Sequence, residues 1–351
     1  MSRQNSDNYE GYEERFDPLK MDRKARRQRK PKDPSASRPA SPAKDPAALS
    51  ANTFESAETF STTYQPSRYE GAWLLSSLRP FFDQLLLTDV LAMVKGGKEA
   101  SVYRCRAYPA TGMDLVAAKV YRPRMFRSLS NDAMYKEGRA VLTSEGRAVK
   151  NSDHRTMRAL GKKSAFGSEV AHSSWLMYEF NTLQFLQSIG ASVPKTLASA
   201  ENAILMEYFG DEHNAAPALS EVALDFDEAE SVFNDVIKNI ELMLRNGMIH
   251  GDLSAYNILY WNNKATLIDF PQVTNLKDNR NARFILERDI ERVCAYFDRQ
   301  GIDTDSEAIM ERLWTRYGGD SAGNPGSFAD KNIAEGWLND LDKEEIGEDE
   351  E

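Results

Sequence analysis

The residues best equipped for chemistry lie in one stretch, His250-Gly-Asp-Leu-Ser-Ala-Tyr-Asn-Ile-Leu-Tyr-Trp-Asn-Asn-Lys-Ala-Thr-Leu-Ile-Asp269. Ile258–Trp261 and Ala265–Ile268 have the composition of short strands, and Asn262-Asn263-Lys264 that of a tight turn between them. Arms of equal length bring their outer ends together, so Asn257 should fall beside Asp269. An amide oxygen next to a carboxylate is a hard-oxygen pair suited to Mg²⁺. Asp252 precedes Asn257 on the same loop, near such a metal without having to bind it, and could accept a proton from a hydroxyl. His250 is better placed to brace the loop backbone than to do acid–base work.

Further groups with the same chemical bias occur upstream. Lys119 sits in Val116-Ala-Ala-Lys-Val120, an interior lysine among small apolar residues, which suits a phosphate and a carboxylate partner. A helix predicted over Ser174–Ile189 has the stripe Leu176, Phe180, Leu183 and Leu186, and Glu179 shares that face. A carboxylate there needs a cation, and Lys119 is the candidate. In Lys95-Gly-Gly-Lys-Glu-Ala-Ser-Val-Tyr103 the glycines allow the backbone to approach phosphates closely, and Lys98 and Ser101 can add donors. We read Gly97, Lys98, Glu99, Ser101 and Val102 as the nucleotide-facing part of this turn. Met206, Glu207 and Phe209, in the stretch Met206-Glu-Tyr-Phe209, would offer backbone groups to an adenine edge.

Asp252, Asn257 and Asp269 have the spacing of the catalytic loop and metal loop of the protein-kinase fold. Beyond that spacing the chain resembles the RIO-type atypical serine/threonine protein kinases, most of all their first subfamily. The resemblance rests on Gly97-Lys-Glu-Ala-Ser-Val-Tyr103, Ala118-Lys-Val-Tyr121, Glu179-Phe180, Ser192-Val-Pro194, Leu205-Met-Glu-Tyr-Phe-Gly210, Phe233-Asn-Asp-Val236, the loop from His250 to Asn257, Ile268-Asp269 and Leu286-Glu-Arg-Asp289. It implies a nucleotide site in which Lys119 holds the α and β phosphates, Glu179 pairs with it, Asp252 is catalytic, and Asn257 and Asp269 bind Mg²⁺ or Mn²⁺. It also implies an aspartyl-phosphate on Asp269, with ATPase as well as kinase behaviour. Two positions depart from the family pattern. Gly251 stands where Ala is commoner, read as a small change, and Phe270-Pro271 replaces a small or Met–Gly pair, with Pro271 removing a backbone donor.

The elements that must carry these residues follow from the rest of the chain. A helical prelude is expected over Trp73–Leu91, then strands at Ala92–Val94, Ala100–Arg106 and Leu115–Tyr121, a buried strand at Ile204–Phe209, and helices at Asp227–Asn246, Arg283–Arg299 and Ser306–Tyr317. The expected fold is α+β, two-lobed and protein-kinase-like, with an antiparallel N-lobe over 71–208, a reduced helical C-lobe over 209–320, and a polar insertion over 123–172 read as a long mobile loop. Residues 1–70 form a Pro-rich arm expected to be disordered, with the basic block Lys20–Lys32 as a candidate contact for RNA or a ribosomal particle; residues 321–351 form an acidic tail.

Composition narrows the function. The chain has 351 residues and a net charge of −10, which disfavours a whole-molecule nucleic-acid binder. Two separated cysteines, Cys105 and Cys294, argue against a disulfide framework or a Cys/His zinc site. No apolar run has the length of a membrane span, and a cytoplasmic location is expected. Residues 270–288 alone separate Asp269 from Asp289, too few for a long activation loop with its Ala-Pro-Glu anchor. The expected activity is therefore an ATP-dependent serine/threonine kinase or ATPase without the usual peptide-docking platform. The alternatives are a small-molecule phosphotransferase of the aminoglycoside or choline kinase kind, which carries a large helical insertion where this chain has only Gly210–Asp227, and a nucleotide-gated assembly factor.

Overall fold

The computed structural model describes residues 62–318 apart from 98, 123–140, 144, 150–152 and 163. The basic block, the acidic tail, Lys98 and much of the expected insertion lie outside the described residues.

Helix α1 (Arg68–Asp83) opens the fold, five residues earlier than its apolar stripe indicates. Its start is set by chemistry that is not apolar: Ser67 caps the Glu70 amide while the Glu70 carboxylate returns to the Ser67 amide. Tyr64 is also tied in, its amide donating to Val90. The helix ends earlier than expected as well. Leu85 adopts a left-handed φ of 56°, and Leu87–Gly96 is strand β1 rather than the last turns of a helix. The run Leu85-Leu86-Leu87 thus divides its apolar residues between a turn and a strand, and Leu85 is exposed.

Strands β1, β2 (Ala100–Ala107), β3 (Leu115–Tyr121), β4 (Thr196–Ala200) and β5 (Ala203–Glu207) form one antiparallel sheet in the order β1-β2-β3-β5-β4. The register pairs Val102 with Lys119 and Lys119 with Ile204. Alternation then gives the sheet two faces. One carries Tyr103, Cys105, Val116, Ala118, Val120 and Leu205, packed with Leu74, Leu78 and Phe81 of α1. The other carries Ala117, Lys119, Tyr121, Ile204 and Met206, whose apolar members share a core with Leu176, Phe180 and Leu183.

The expected loop over 123–172 is corrected at its C-terminal end. His154–Gly161 is helix α2, and α3 spans Ala165–Ser188 instead of starting at Ser174. Both begin at side-chain caps, Asp153 on the Thr156 amide and Ser164 on the Gly167 amide, and both are too polar in this stretch to show an apolar stripe. At Gly167 an added Cβ would sit 2.1 Å from the Ala159 carbonyl oxygen, so the close approach of α2 to α3 depends on the missing side chain.

The second lobe consists of α4 (Phe226–Arg245), the short pair β6 (Met248–Ile249) and β9 (Thr274–Asn275), the hairpin β7 (Ile258–Trp261) and β8 (Lys264–Leu267), then α5 (Ala282–Arg299) and α6 (Ser306–Tyr317). Its core is the amphipathic face of α4, with Val236, Ile240 and Leu244, against Leu286, Ile290 and Val293 of α5 and the hairpin residues Ile258 and Leu267. The fold is the expected α+β arrangement, a small antiparallel sheet lobe followed by a mostly helical one. Among the described residues no helix is long and apolar enough to cross a membrane.

Candidate active site

The hairpin assembles the first half of the site. Asn262 and Asn263 take left-handed φ values of 51° and 58°, a turn that matches the twist of two short arms. The register Ile258↔Leu267 and the bond from the Ile268 amide to the Asn257 carbonyl, 3.0 Å, place Asn257 alongside the strand end that carries Asp269. The Asn257 amide nitrogen donates to the Asp252 carbonyl at 2.8 Å and reaches its carboxylate at 3.3 Å. That fixes the amide so that its oxygen is the atom left to meet a cation. His250 braces this loop as expected: its Nε2 lies 3.2 Å from the Ile268 carbonyl oxygen, and its Nδ1 accepts from the Asp252 amide. Phe270, one of the unusual residues after Asp269, is fully buried with its ring 4.6 Å from that of His250.

The sheet lobe supplies the other half. Lys119 Nζ donates to Glu179 Oε1 at 2.5 Å and to Asp269 Oδ1 at 2.7 Å. Glu179 is 1% exposed, and its second oxygen accepts from the Tyr121 hydroxyl at 2.5 Å. Asp269 is the open member of the trio, with 43% of its side chain exposed. Its φ of 70° is left-handed, a sparsely populated conformation for a side-chain-bearing residue and one that recurs at functional sites. Burial works against the Lys119 charge, but Asp269 and Glu179 outweigh it and hold its pKa above that of an ordinary lysine. For Asp269, burial pushes the carboxyl up, and the charge and hydrogen bond of Lys119, with His250 and Lys95, overcome this and leave it below the usual range. Both groups are therefore charged at neutral pH.

Beneath Asp252 is a cluster whose contacts the sequence did not announce, although Arg288 and Asp289 lie in a stretch that carries the resemblance. Arg292 of α5 donates to Asp252 Oδ1 at 2.8 Å. Asp289 accepts from the Gly251 amide at 2.8 Å, and Arg288 donates to the Gly251 carbonyl. Burial raises the Asp252 carboxyl; Arg292 and Arg288 pull it back, and Asp289 and Asp269 add to the rise, with a net upward result. A proton acceptor with a raised pKa is a stronger base than an ordinary aspartate. Gly251 is not a small change from alanine here. Its φ is +85°, and an added Cβ would lie 2.3 Å from the Gln272 carbonyl oxygen.

The remaining residues are placed unevenly. Gly97 closes the β1–β2 turn with its amide on the Ala100 carbonyl at 2.9 Å, and a Cβ there would come within 2.7 Å of that oxygen. Glu99 accepts from the Arg122 amide through its carbonyl. Val102 lies on the Lys119 face. Ser101 does not: it is fully buried, and alternation along β2 turns its side chain to the opposite face, where its hydroxyl bears on Tyr103. The expectation that its side chain adds a phosphate donor is corrected on that ground. In the inter-lobe stretch the Glu207 amide is taken by the Lys195 carbonyl and the Phe209 carbonyl by the Ala216 amide, so these two groups are engaged within the protein. Met206 is buried on the Lys119 side of β5, facing Ala117.

A lysine paired with a helix carboxylate, a loop aspartate and an Asn/Asp pair at a hairpin mouth, divided between a sheet lobe and a helical lobe, define a phosphotransferase of the protein-kinase kind. The family model of the RIO domain matches residues 130–309, more than half of the chain. RIO-type serine/threonine-protein kinase Rio1 of Thermoplasma acidophilum is 34% identical over 139 residues, covering 40% of this chain and 72% of that protein. Serine/threonine-protein kinase RIO1 of Chaetomium thermophilum is 28% identical over 241 residues, covering 66% of this chain and 43% of that protein. A crystal structure of the Rio2 kinase–ADP/Mg²⁺–phosphoaspartate complex from Chaetomium thermophilum aligns with a TM-score of 0.49 and 18% identity over 85% of this chain and 84% of that one. The chain belongs to the RIO family of serine/threonine protein kinases.

Proposed function

We propose that this protein transfers the γ-phosphoryl group of ATP with the help of Mg²⁺, phosphorylating serine on itself or another protein, and that it works in large part as an ATPase switch through a phosphorylated Asp269. The observation that carries this reading is Lys119 held between Glu179 and Asp269, at 2.5 and 2.7 Å. One lysine between two carboxylates leaves the trio one negative charge in excess. A divalent cation next to Asp269 would correct that excess and release Lys119 toward phosphate oxygens.

The donor set fits such a metal: Asn257 and Asp269 would hold it through oxygen atoms, the ligands Mg²⁺ prefers. Bound there, it would neutralise phosphate charge. Lys119 orients the α and β phosphates while Glu179 keeps its ammonium in place. Asp252, braced by Arg292 and Asn257, takes the proton of an attacking hydroxyl. In the alternative outcome at the same site, an Asp269 oxygen bonds to the γ-phosphorus as the bond to the leaving ADP oxygen breaks, and water later hydrolyses the acyl phosphate. The low pKa and partial exposure of Asp269 suit a nucleophile.

The small-molecule phosphotransferase reading is disfavoured, because between β5 and α4 the chain forms only a single 3₁₀ turn at Leu219–Glu221, with no helical platform. A long activation loop is equally missing, since residues 270–281 comprise β9 and a tight turn before α5. The substrate must then be gripped by other surfaces. The basic block Lys20–Lys32 is the candidate for an RNA or ribosomal partner, with affinity that falls steeply with salt. The test of the whole reading is incubation with γ-labelled ATP and Mg²⁺. We expect label in protein serine and in a hydroxylamine-labile acyl phosphate, and loss of both with a chelator. Exclusive transfer to a small hydroxylated compound would refute it.

A further inference from the structure

Away from the cleft, the turn after β9 and the end of α6 enclose a cavity of about 330 Å³. Lys277, Asn279, Arg280 and Arg283 form one wall, Trp314 and Tyr317 the other. The three cations are exposed at its rim. Arg283 lies over the Trp314 ring, 5.6 Å from its centre, and pairs with Glu311. Among the described residues no carboxylate pairs with the Lys277 ammonium. The first turn of α5, which lines the same cavity, carries no acidic residue, so the positive end of that helix adds to the field. On a chain of net charge −10 this is a site of the opposite sign.

Gly318 also lines the cavity, and the chain leaves from it. Residues 319–351 carry eleven Asp and Glu against Lys331 and Lys343, and the last twelve, Asp340–Glu351, hold most of them. A tether of as many residues as separate Gly318 from Asp340 would, as a random chain, span roughly 25 Å, enough for its far end to return to its origin. At such a tether length the local concentration of the acidic segment is on the order of millimolar, so weak ion pairs suffice to hold it.

We propose that the acidic segment Asp340–Glu351 docks in this cavity within the same molecule, its carboxylates on Lys277 and Arg280. The tail would then screen this basic pocket from other anionic partners until salt or a stronger anion displaces it. This does not depend on the phosphotransfer reading, and its test needs no activity.

The full chain is labelled with fluorotryptophan, and a spin label is attached through Gly347→Cys; Cys105 and Cys294 are buried and stay unlabelled. At low salt the Trp314 fluorine resonance should broaden far more than that of Trp73, independently of protein concentration. In 0.5 M NaCl, and in Lys277→Glu/Arg280→Glu, it should sharpen. A second variant leaves the pocket untouched: Glu344, Glu345, Glu348 and Glu350 all changed to Gln should also sharpen it. A sharp Trp314 signal at low salt overturns the proposal. So does broadening that survives either variant, and broadening that grows with concentration assigns the pocket to a second copy instead.

Discussion

The two sides of the cleft handle buried charge in opposite ways. At the sheet side one lysine faces two carboxylates, Glu179 of its own lobe and Asp269 reaching over from the hairpin. On the helical side two aspartates, Asp252 and Asp289, face two arginines, Arg292 and Arg288. The second set is neutral, and three of its members have side chains 7% exposed or less; only Asp252, at 27%, reaches the cleft. The first set carries one charge too many, and its surplus member is the most exposed. A balanced cluster of hydrogen-bonded ions acts as a frame, because none of its charges gains by finding a new partner. An unbalanced one is poised for a cation. On the proposed function, the difference separates the group that would position the reaction from the group that would receive its metal.

The contrast is broken most severely at the one residue of the balanced set that reaches the cleft. Asp252→Ala should lower phosphoryl transfer by roughly 10²-fold or more while nucleotide still binds, because proton acceptance acts in the transition state. Turnover with γ-labelled ATP and titration with a fluorescent nucleotide check the two halves of that statement. On the opposite side, Lys119→Ala and Glu179→Ala should each cut kcat/KM by about tenfold or more, with the double variant little worse than either. Losses that multiply would show two independent contributions and dissolve the trio as a unit.

Arg292→Gln sharpens the comparison by making the balanced set unbalanced. Asp252 would keep its charge but lose its 2.8 Å partner. Removing one member of a buried pair strands the other, and we expect a stability loss of about 3 kcal/mol, measured by chemical denaturation. A change below about 0.5 kcal/mol, the usual size of a surface substitution, would mean that Asp252 is solvated well enough to stand alone and that the frame does not depend on this arginine.

Arg292 also marks where the sequence stops being readable. The hairpin was legible because turn chemistry and equal arms fix which ends meet, and Lys119 because an interior lysine among alanines and valines demands partners. Arg292 is one arginine on a helix rich in charges, and nothing local says that it turns inward across forty residues to Asp252. Strand β4, Thr-Leu-Ala-Ser-Ala, is hard to read because, Leu197 apart, its side chains are small or polar, and all but Thr196 are half-buried. The early turns of α3 were missed because caps, not an apolar stripe, start them. Ser101 looked like a phosphate donor until the register Ser101↔Val120 fixed its face. Gly251 looked interchangeable with alanine until its φ and the Gln272 carbonyl were seen. Arg292, Ser101 and Gly251 each turn on a three-dimensional neighbour far along the chain, whereas β4 and the start of α3 lack a strong apolar signal of their own.

The mildest expected effect tests how much of the sheet-side trio is alignment. Tyr121 is fully buried, stands edge-on to Trp175 at 4.9 Å between ring centres, and donates to the Glu179 oxygen that Lys119 does not use. Tyr121→Phe keeps the ring and removes only that donor. Glu179 would retain Lys119, so the ion pair survives, but its carboxylate loses the bond that sets its rotation. A hydrogen bond to a charged group contributes about 1.5–3 kcal/mol to stability, and most of that should be visible in denaturation. Turnover should fall by less than about tenfold, because 1.4 kcal/mol of barrier is the most that a misaligned but intact pair should cost. A loss as large as that of Glu179→Ala would make Tyr121 as necessary as the carboxylate it holds. No loss in either measurement would show that α3 packing alone orients Glu179, and that the trio is set by the backbone rather than by its hydrogen bonds.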